Sequence, residues 1–189
     1  MIIAKASVTN GILLFKKSAE HNLPVVFPTD TIYGIGAPLS AIHANKQIFT
    51  IKKRPLNLPF PILAASLNQV AQIADLSNLS SEAMQYVSKW PGPYTFILKS
   101  KPSLNDIYSK NGTVAVRIPN IDWLRKTLEA IGEPITATSA NFSGQQHVSN
   151  VQDAVALFNR DISLFIHGQT GASSSTIIDL SNKNIAQIR

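Results

Sequence analysis

Four groups of polar side chains stand at the ends of short apolar runs: Thr29-Asp30-Thr31, Arg117, Thr138-Ser139 with Asn141, and Ser175-Thr176. If those runs are strands of one sheet, the groups converge on a crevice at its edge, where open α/β proteins bind ligands. Arg117 ends the run Val114-Ala115-Val116, too apolar to hold a guanidinium without a partner. Its fork suits a carboxylate or a phosphate, and an internal ion pair is the alternative use. Lys52-Lys53-Arg54 is the compact basic cluster of the chain and fits either phosphates or a solvated helix face. Ser139-Ala140-Asn141-Phe142-Ser143-Gly144 has the hydroxyls, amide and glycine of a loop that cradles an anion through backbone N–H groups, or of a hydrogen-bonded turn. Within Pro28–Gly36, Gly34 and Gly36 leave room for a ligand beside the backbone, and Asp30 either orients the loop or meets a metal-bound phosphate.

Other chemistries are excluded or weakly supported. No G-x-x-x-x-G-K-[ST] or G-x-G-x-x-G occurs, so a nucleotide must be held by another scheme. His21, His43, His147 and His167 lack metal-ligand spacing, and no protein-bound metal is expected. There is no cysteine and no G-x-S-x-G, which removes thiol chemistry and weakens a serine-hydrolase reading. Trp90, Tyr33 and Phe142 suit the core better than base stacking.

The elements that position these groups follow from periodicity. Helices are predicted over Ser7–Asn22, Ala41–Lys53, Leu67–Ala74, Ser80–Lys89, Asp122–Ile131 and from Ser149 to Phe158, the last with Gln152 completing a capping box. Strands are predicted over Val25–Phe27, Pro61–Ala65, Tyr94–Leu98, Thr113–Ile118, Ile135–Thr138, Leu164–Ile166, Thr176–Leu180 and Ile185–Ile188. The alternation without a linker implies one α/β domain over residues 1–189, with an open, twisted, mixed sheet and helices on both faces.

The 189 residues carry a formal charge of +6, which favours anionic partners. With 44% hydrophobic residues the chain has enough apolar material for a core. Neither a signal-peptide pattern at Met1–Ala6 nor a membrane-length apolar run occurs, so a cytoplasmic location is expected.

Taken in order, Pro28-Thr-Asp-Thr-Ile-Tyr-Gly34, Lys52-Lys-Arg-Pro55, Trp90-Pro-Gly-Pro-Tyr-Thr95, Val116-Arg-Ile-Pro119, Thr138-Ser-Ala-Asn-Phe-Ser-Gly144 and Ser175-Thr-Ile-Ile-Asp179 give a pattern that resembles the YrdC-like threonylcarbamoyl-AMP synthases of the short, single-domain type. The resemblance implies a large basic cavity. It also implies a nucleotidyltransferase that joins L-threonine, bicarbonate or CO2, and ATP into threonylcarbamoyl-adenylate and pyrophosphate. Partner proteins would then pass the threonylcarbamoyl group to adenosine 37 of tRNAs reading codons that begin with A. By the same resemblance, Thr31, Ser139 and Ser175 contact threonine and Arg117 clamps its carboxylate. Lys52 and Arg54 act in catalysis on the ATP phosphates, which bring Mg²⁺. Asn141, Ser143, Thr113, Ser149 and Arg189 complete the nucleotide side. Longer relatives have an asparagine and a histidine where this chain has Leu58 and Leu63. Two rival expectations are an RNA-binding protein without catalysis, since direct binding of tRNA or double-stranded RNA fits the charge, and a carbamoyl-transfer domain of the hydrogenase-maturation kind.

Overall fold

Val25, Val26 and Phe27 are all fully buried, and their side chains divide between two separate cores. Only a strand covered on both faces allows this. The computed structural model, which describes residues 1–182 and 184–189, places this strand (β2, Val25–Phe27) inside a five-stranded sheet. The other members are β1 (Ile2–Lys5), β3 (Gly34–Gly36), β8 (Thr138–Ser139) and β9 (Leu164–His167), in the order β1-β9-β2-β3-β8. Strand β9 divides its side chains the same way, with Leu164 and Ile166 on one face and Phe165 on the other. The first face is covered by α1 (Val8–His21) and α5 (Asp122–Ile131), the second by α2 (Ile42–Ile51) and α6 (Val151–Phe158).

Helix α1 begins where the Ser7 hydroxyl accepts the Asn10 N–H at 3.2 Å, and ends at Asn22 in the left-handed region (φ 54°). Both are local signals that the sequence carries openly. Helix α5 ends at left-handed Gly132 for the same reason.

A second, six-stranded sheet has the order β11-β10-β5-β6-β4-β7. Its strands are β4 (Ile62–Leu63), β5 (Tyr94–Lys99), β6 (Thr113–Arg117), β7 (Ile135–Thr136), β10 (Thr176–Asp179) and β11 (Ala186–Gln187). Phe96, Leu98, Val114, Val116 and Ile178 face a core shared with α3 (Leu67–Ile73) and α4 (Ser81–Val87). Because strand side chains alternate, Thr95, Arg117 and Ile177 point the other way. That face carries the cavity described below.

The mixed α/β architecture agrees with the expectation, but there are two mixed sheets and not one. The predicted strand Ile135–Thr138 breaks at Ala137. Its first half pairs with β4 in the second sheet, and Thr138-Ser139 pairs with β3 in the first. Gly36 permits this junction, since a Cβ there would run into the backbone oxygen of Thr136. The room expected for a ligand at Gly36 is filled by a neighbouring strand. A buried polar knot secures the same place. Asn45 Nδ2 donates to the Pro38 carbonyl at 2.8 Å and to the Tyr108 hydroxyl at 3.0 Å, Tyr108 donates to the Leu39 carbonyl at 2.7 Å, and the Thr136 hydroxyl donates to the Asn45 side-chain oxygen. A buried network this fully satisfied favours one arrangement of the two sheets.

Two strands escaped the sequence reading. Strand β1 is a short sheet edge, and β3 lies within a motif read as loop. Helix α6 starts one residue later than expected: Asn150, not Ser149, is the cap, its side-chain oxygen accepting the Asp153 N–H at 2.8 Å. Among the described residues no helix is long and apolar enough to cross a membrane.

Candidate active site

The segment after β2 is shaped by its own hydroxyls. Thr29 Oγ1 accepts the N–H groups of Thr31 (3.1 Å) and Ile32 (3.2 Å) and donates to the Ile32 carbonyl at 2.7 Å, closing a tight turn. Tyr33 pins this turn from behind: its hydroxyl donates to the Gly168 carbonyl at 2.7 Å and accepts the Gly168 N–H at 3.0 Å. Burial pushes the Tyr33 phenol above its ordinary pKa, so it remains a donor. The chain beyond β9 comes so close that a Cβ at Gly171 would meet the Asp30 and Thr31 carbonyls. Thr31 is therefore held on both sides.

Arg117 leaves the end of β6 and is 4% exposed. Its Nε donates to the Gly92 carbonyl at 3.0 Å, its Nη1 to the Thr31 hydroxyl at 2.6 Å, and its Nη2 to the Asp30 carboxylate. The second Asp30 oxygen accepts the Asn120 N–H at 2.8 Å. Asp30 thus orients the guanidinium, a role different from both of those considered for it in the sequence. Burial pulls the Arg117 pKa below its ordinary value, and Asp30 opposes that pull, so the charge persists. A guanidinium has five N–H groups; with three committed, two are left for a ligand.

These groups surround a cavity of about 200 Å³ between the two sheets. Thr31, Gly34, Thr138 and Ser139 line it from the first sheet, and Leu63, Thr95, Arg117, Ser175 and Ile177 from the second. Arg54 and Arg189 also line it, and among the described residues no acidic side chain does. The Arg54 Nε donates to the Leu58 carbonyl at 2.7 Å, and its guanidinium lies 5.3 Å from the Phe60 ring centre. Leu58 thus serves through its backbone, while Leu63 supplies an apolar patch of wall. Arg189 donates to the Ser175 carbonyl from Nε (3.3 Å) and Nη2 (3.2 Å), on a tail held to β10 by backbone bonds with Ile177. Thr95 and Ser175 share a hydroxyl–hydroxyl bond of 2.8 Å. Thr95 went unnoticed in the sequence, although it is the polar residue of the strongest strand pattern and alternates away from Phe96.

Several expected site residues do not line this cavity. Lys52 is 2% exposed and does not line the cavity, its Nζ donating to Ser139 O (2.5 Å), Asn141 O (2.7 Å) and Asn141 Oδ1 (2.9 Å). Burial, with Arg54 nearby, pulls its pKa down to about 8. Asn141 and Ser143 belong to the same bracket, the Ser143 hydroxyl donating to the Lys52 carbonyl at 2.8 Å. The N–H groups of Ala140, Asn141 and Ser143 are taken by the carbonyls of Tyr33, Ser139 and Lys52, so these three donors are committed within the protein. Thr113 stands at the opposite end of β6 from Arg117, in a groove of about 810 Å³ with Lys99 and Lys110. Ser149 is exposed, precedes α6 and does not line the cavity. Among the described residues no three His, Asp or Glu side chains group as metal ligands.

The two sheets meet at a cavity with three arginines and with hydroxyls from both sides in its wall, a lining whose chemistry suits a small anionic ligand. The family described as Telomere recombination, Sua5/YciO/YrdC, matches residues 19–189, and the chain belongs to it. It is 31% identical over 157 residues to the threonylcarbamoyl-AMP synthase of Vibrio vulnificus (strain YJ016), covering 82% of this chain and 84% of that protein. The fold is similar to that of P. abyssi Sua5 complexed with L-threonine, at a TM-score of 0.89 and 30% identity over 100% of this chain. The chain spans 57% of that structure's length. E. coli YciO is similar in fold at a TM-score of 0.85 and 22% identity, covering 100% of this chain and 93% of YciO.

Proposed function

We propose that the protein is a threonylcarbamoyl-AMP synthase, a nucleotidyltransferase that makes L-threonylcarbamoyl-adenylate and pyrophosphate from L-threonine, bicarbonate or CO2, and ATP. The observation that carries this reading is Arg117, buried and aimed by Asp30, Thr31 and Gly92 with two N–H groups left over. A fork held this way matches the α-carboxylate of an amino acid. The relative solved with L-threonine, at 30% identity, supports the choice of amino acid.

In this reading threonine fills the 200 Å³ cavity, its carboxylate on Arg117 and its side chain among Thr31, Thr95 and Ser175. Such hydroxyls reject valine, which would leave them unpaired. The cavity is smaller than the sites that enclose nucleotide-sized ligands, so ATP extends outward past Arg54 and Arg189. Threonine's amine and CO2 form a carbamate. A carbamate oxygen attacks the α-phosphorus, a new O–P bond forms, and the bond to the β-phosphate oxygen breaks to release pyrophosphate. No protein nucleophile is required. Arg54 and Arg189 neutralise charge, and Mg²⁺ accompanies the phosphates of ATP. Alignment of two reactants contributes on the order of 7–11 kcal/mol to lowering such a barrier. The adenylate is then consumed by proteins that transfer the threonylcarbamoyl group to adenosine 37 of tRNA.

The test is pyrophosphate release from ATP with each substrate omitted in turn. Release is expected only with threonine and bicarbonate together; release that survives the omission of threonine contradicts the reading.

A further inference from the structure

We infer that Lys52 is a positioning residue that acts on the amine end of threonine through Asn141 and Ser139, and makes no contact with ATP. This rests on the functional reading above and adds a role that reading does not contain.

The argument is one of donors and acceptors. An ammonium has three N–H groups and no lone pair. Those of Lys52 are directed to Ser139 O, Asn141 O and Asn141 Oδ1, at 2.5, 2.7 and 2.9 Å. None remains for a phosphate, and at 2% exposure no approach to the ammonium is open. The consequence passes to Asn141. Lys52 only donates, so the side-chain atom of Asn141 facing it is the oxygen, and Nδ2 is left to donate to the Gln145 carbonyl. That oxygen lies 2.7 Å from Ser139 Oγ and has no proton to give, so Ser139 is the donor. Ser139 has a single hydroxyl proton. With that proton held by Asn141, its oxygen meets the cavity only as an acceptor.

The two ends of the cavity are therefore opposite in kind. Arg117 offers donors, which suit a carboxylate. Ser139 offers lone pairs, which suit an N–H. An α-amino acid carries both groups on one carbon, and the N–H persists when the amine becomes a carbamate. Lys52, by fixing the sense of the Asn141–Ser139 bond, fixes which end of the amino acid goes where.

Lys52→Met, Ser139→Ala and the double variant separate this from the alternatives, with KM for L-threonine and for ATP measured independently. Lys52→Met is expected to raise the threonine KM about ten-fold, the worth of one polar contact, and to leave the ATP KM unchanged. The double variant is expected to be no worse than Ser139→Ala, because Lys52 works through that hydroxyl. A raised ATP KM with threonine unaffected makes Lys52 a phosphate ligand and overturns the inference, as does additivity in the double variant. Should Lys52→Met fail to fold, Asn141→Asp and Asn141→Leu replace it. Aspartate keeps the acceptor for both Lys52 and Ser139, although it loses the N–H to the Gln145 carbonyl, and retains a threonine KM closer to the wild type than leucine, which loses the acceptor as well. Equal behaviour of those two variants overturns the inference. A wild-type protein without threonine-dependent pyrophosphate release would defeat the functional reading itself, a result distinct from any pattern among the variants.

Discussion

Arg117, held by residues 30, 31 and 92, and Lys52, held by residues 139 and 141, are two buried cations used in opposite ways. Arg117 has a charged partner in Asp30, faces the cavity, and keeps two N–H groups uncommitted. Lys52 is surrounded by neutral oxygens, does not line the cavity, and keeps none. Both are basic residues in motifs of the same family pattern. What distinguishes a ligand-binding cation from a bracing one is the number of donors left after the protein has taken its share. Arginine's rigid five-donor fork permits both tasks at once, and lysine's three donors do not.

The comparison can be broken most sharply at Arg117. Arg117→Ala removes the proposed carboxylate clamp and leaves the partly buried Asp30 without its partner. A loss in kcat/KM for threonine of about a hundred-fold or more is expected, with a fall in Tm, from steady-state kinetics and thermal unfolding. A loss confined to ATP would reverse the roles assigned to the two cations. Gly36→Ala tests the junction that sets both in place. The added methyl collides with the Thr136 backbone, and urea unfolding should show destabilisation of about 3 kcal/mol. Asp30→Asn gives Arg117 surroundings as neutral as those of Lys52. The threonine KM should rise about ten-fold while the ATP KM holds, and an unchanged threonine KM would make Asp30 irrelevant to aiming the fork.

The smallest effect serves as a control, at Asp75, which lines a groove separate from the cavity of Arg117. Hydrogen bonds from Ser77 and Asn78 hold the Asp75 carboxyl at about 2, below its ordinary 3.8. A carboxyl depressed in the folded state adds stability above its unfolded pKa and loses it as pH falls through the folded one. Asp75→Asn should therefore lower Tm slightly at neutral pH, converge with the wild type near pH 2, and leave threonine kinetics unchanged.

What was legible in the sequence was local. Ser7 and Gly132 marked helix ends because capping is decided within a few residues. Arg117 stood out because a guanidinium in an apolar strand needs a partner, and the internal ion pair is there in Asp30, while the residue also lines the cavity. What was not legible was long-range. The break at Ala137 depends on Gly36 meeting Thr136, and the direction of the Lys52 side chain depends on carbonyls of residues 139 and 141. Thr113 illustrates the same limit. It shares a strand with Arg117, yet lies at the strand's other end, in a different groove.

The central claim is that Arg117 receives the carboxylate of threonine. Calorimetric titration of L-threonine and of L-threoninamide, which lacks that carboxylate, tests it directly in the wild type and in Arg117→Ala. The wild type should prefer threonine by about ten- to hundred-fold, and the variant should bind the two alike, as expected for one charge-assisted contact. Equal binding of both ligands by the wild type would contradict the claim.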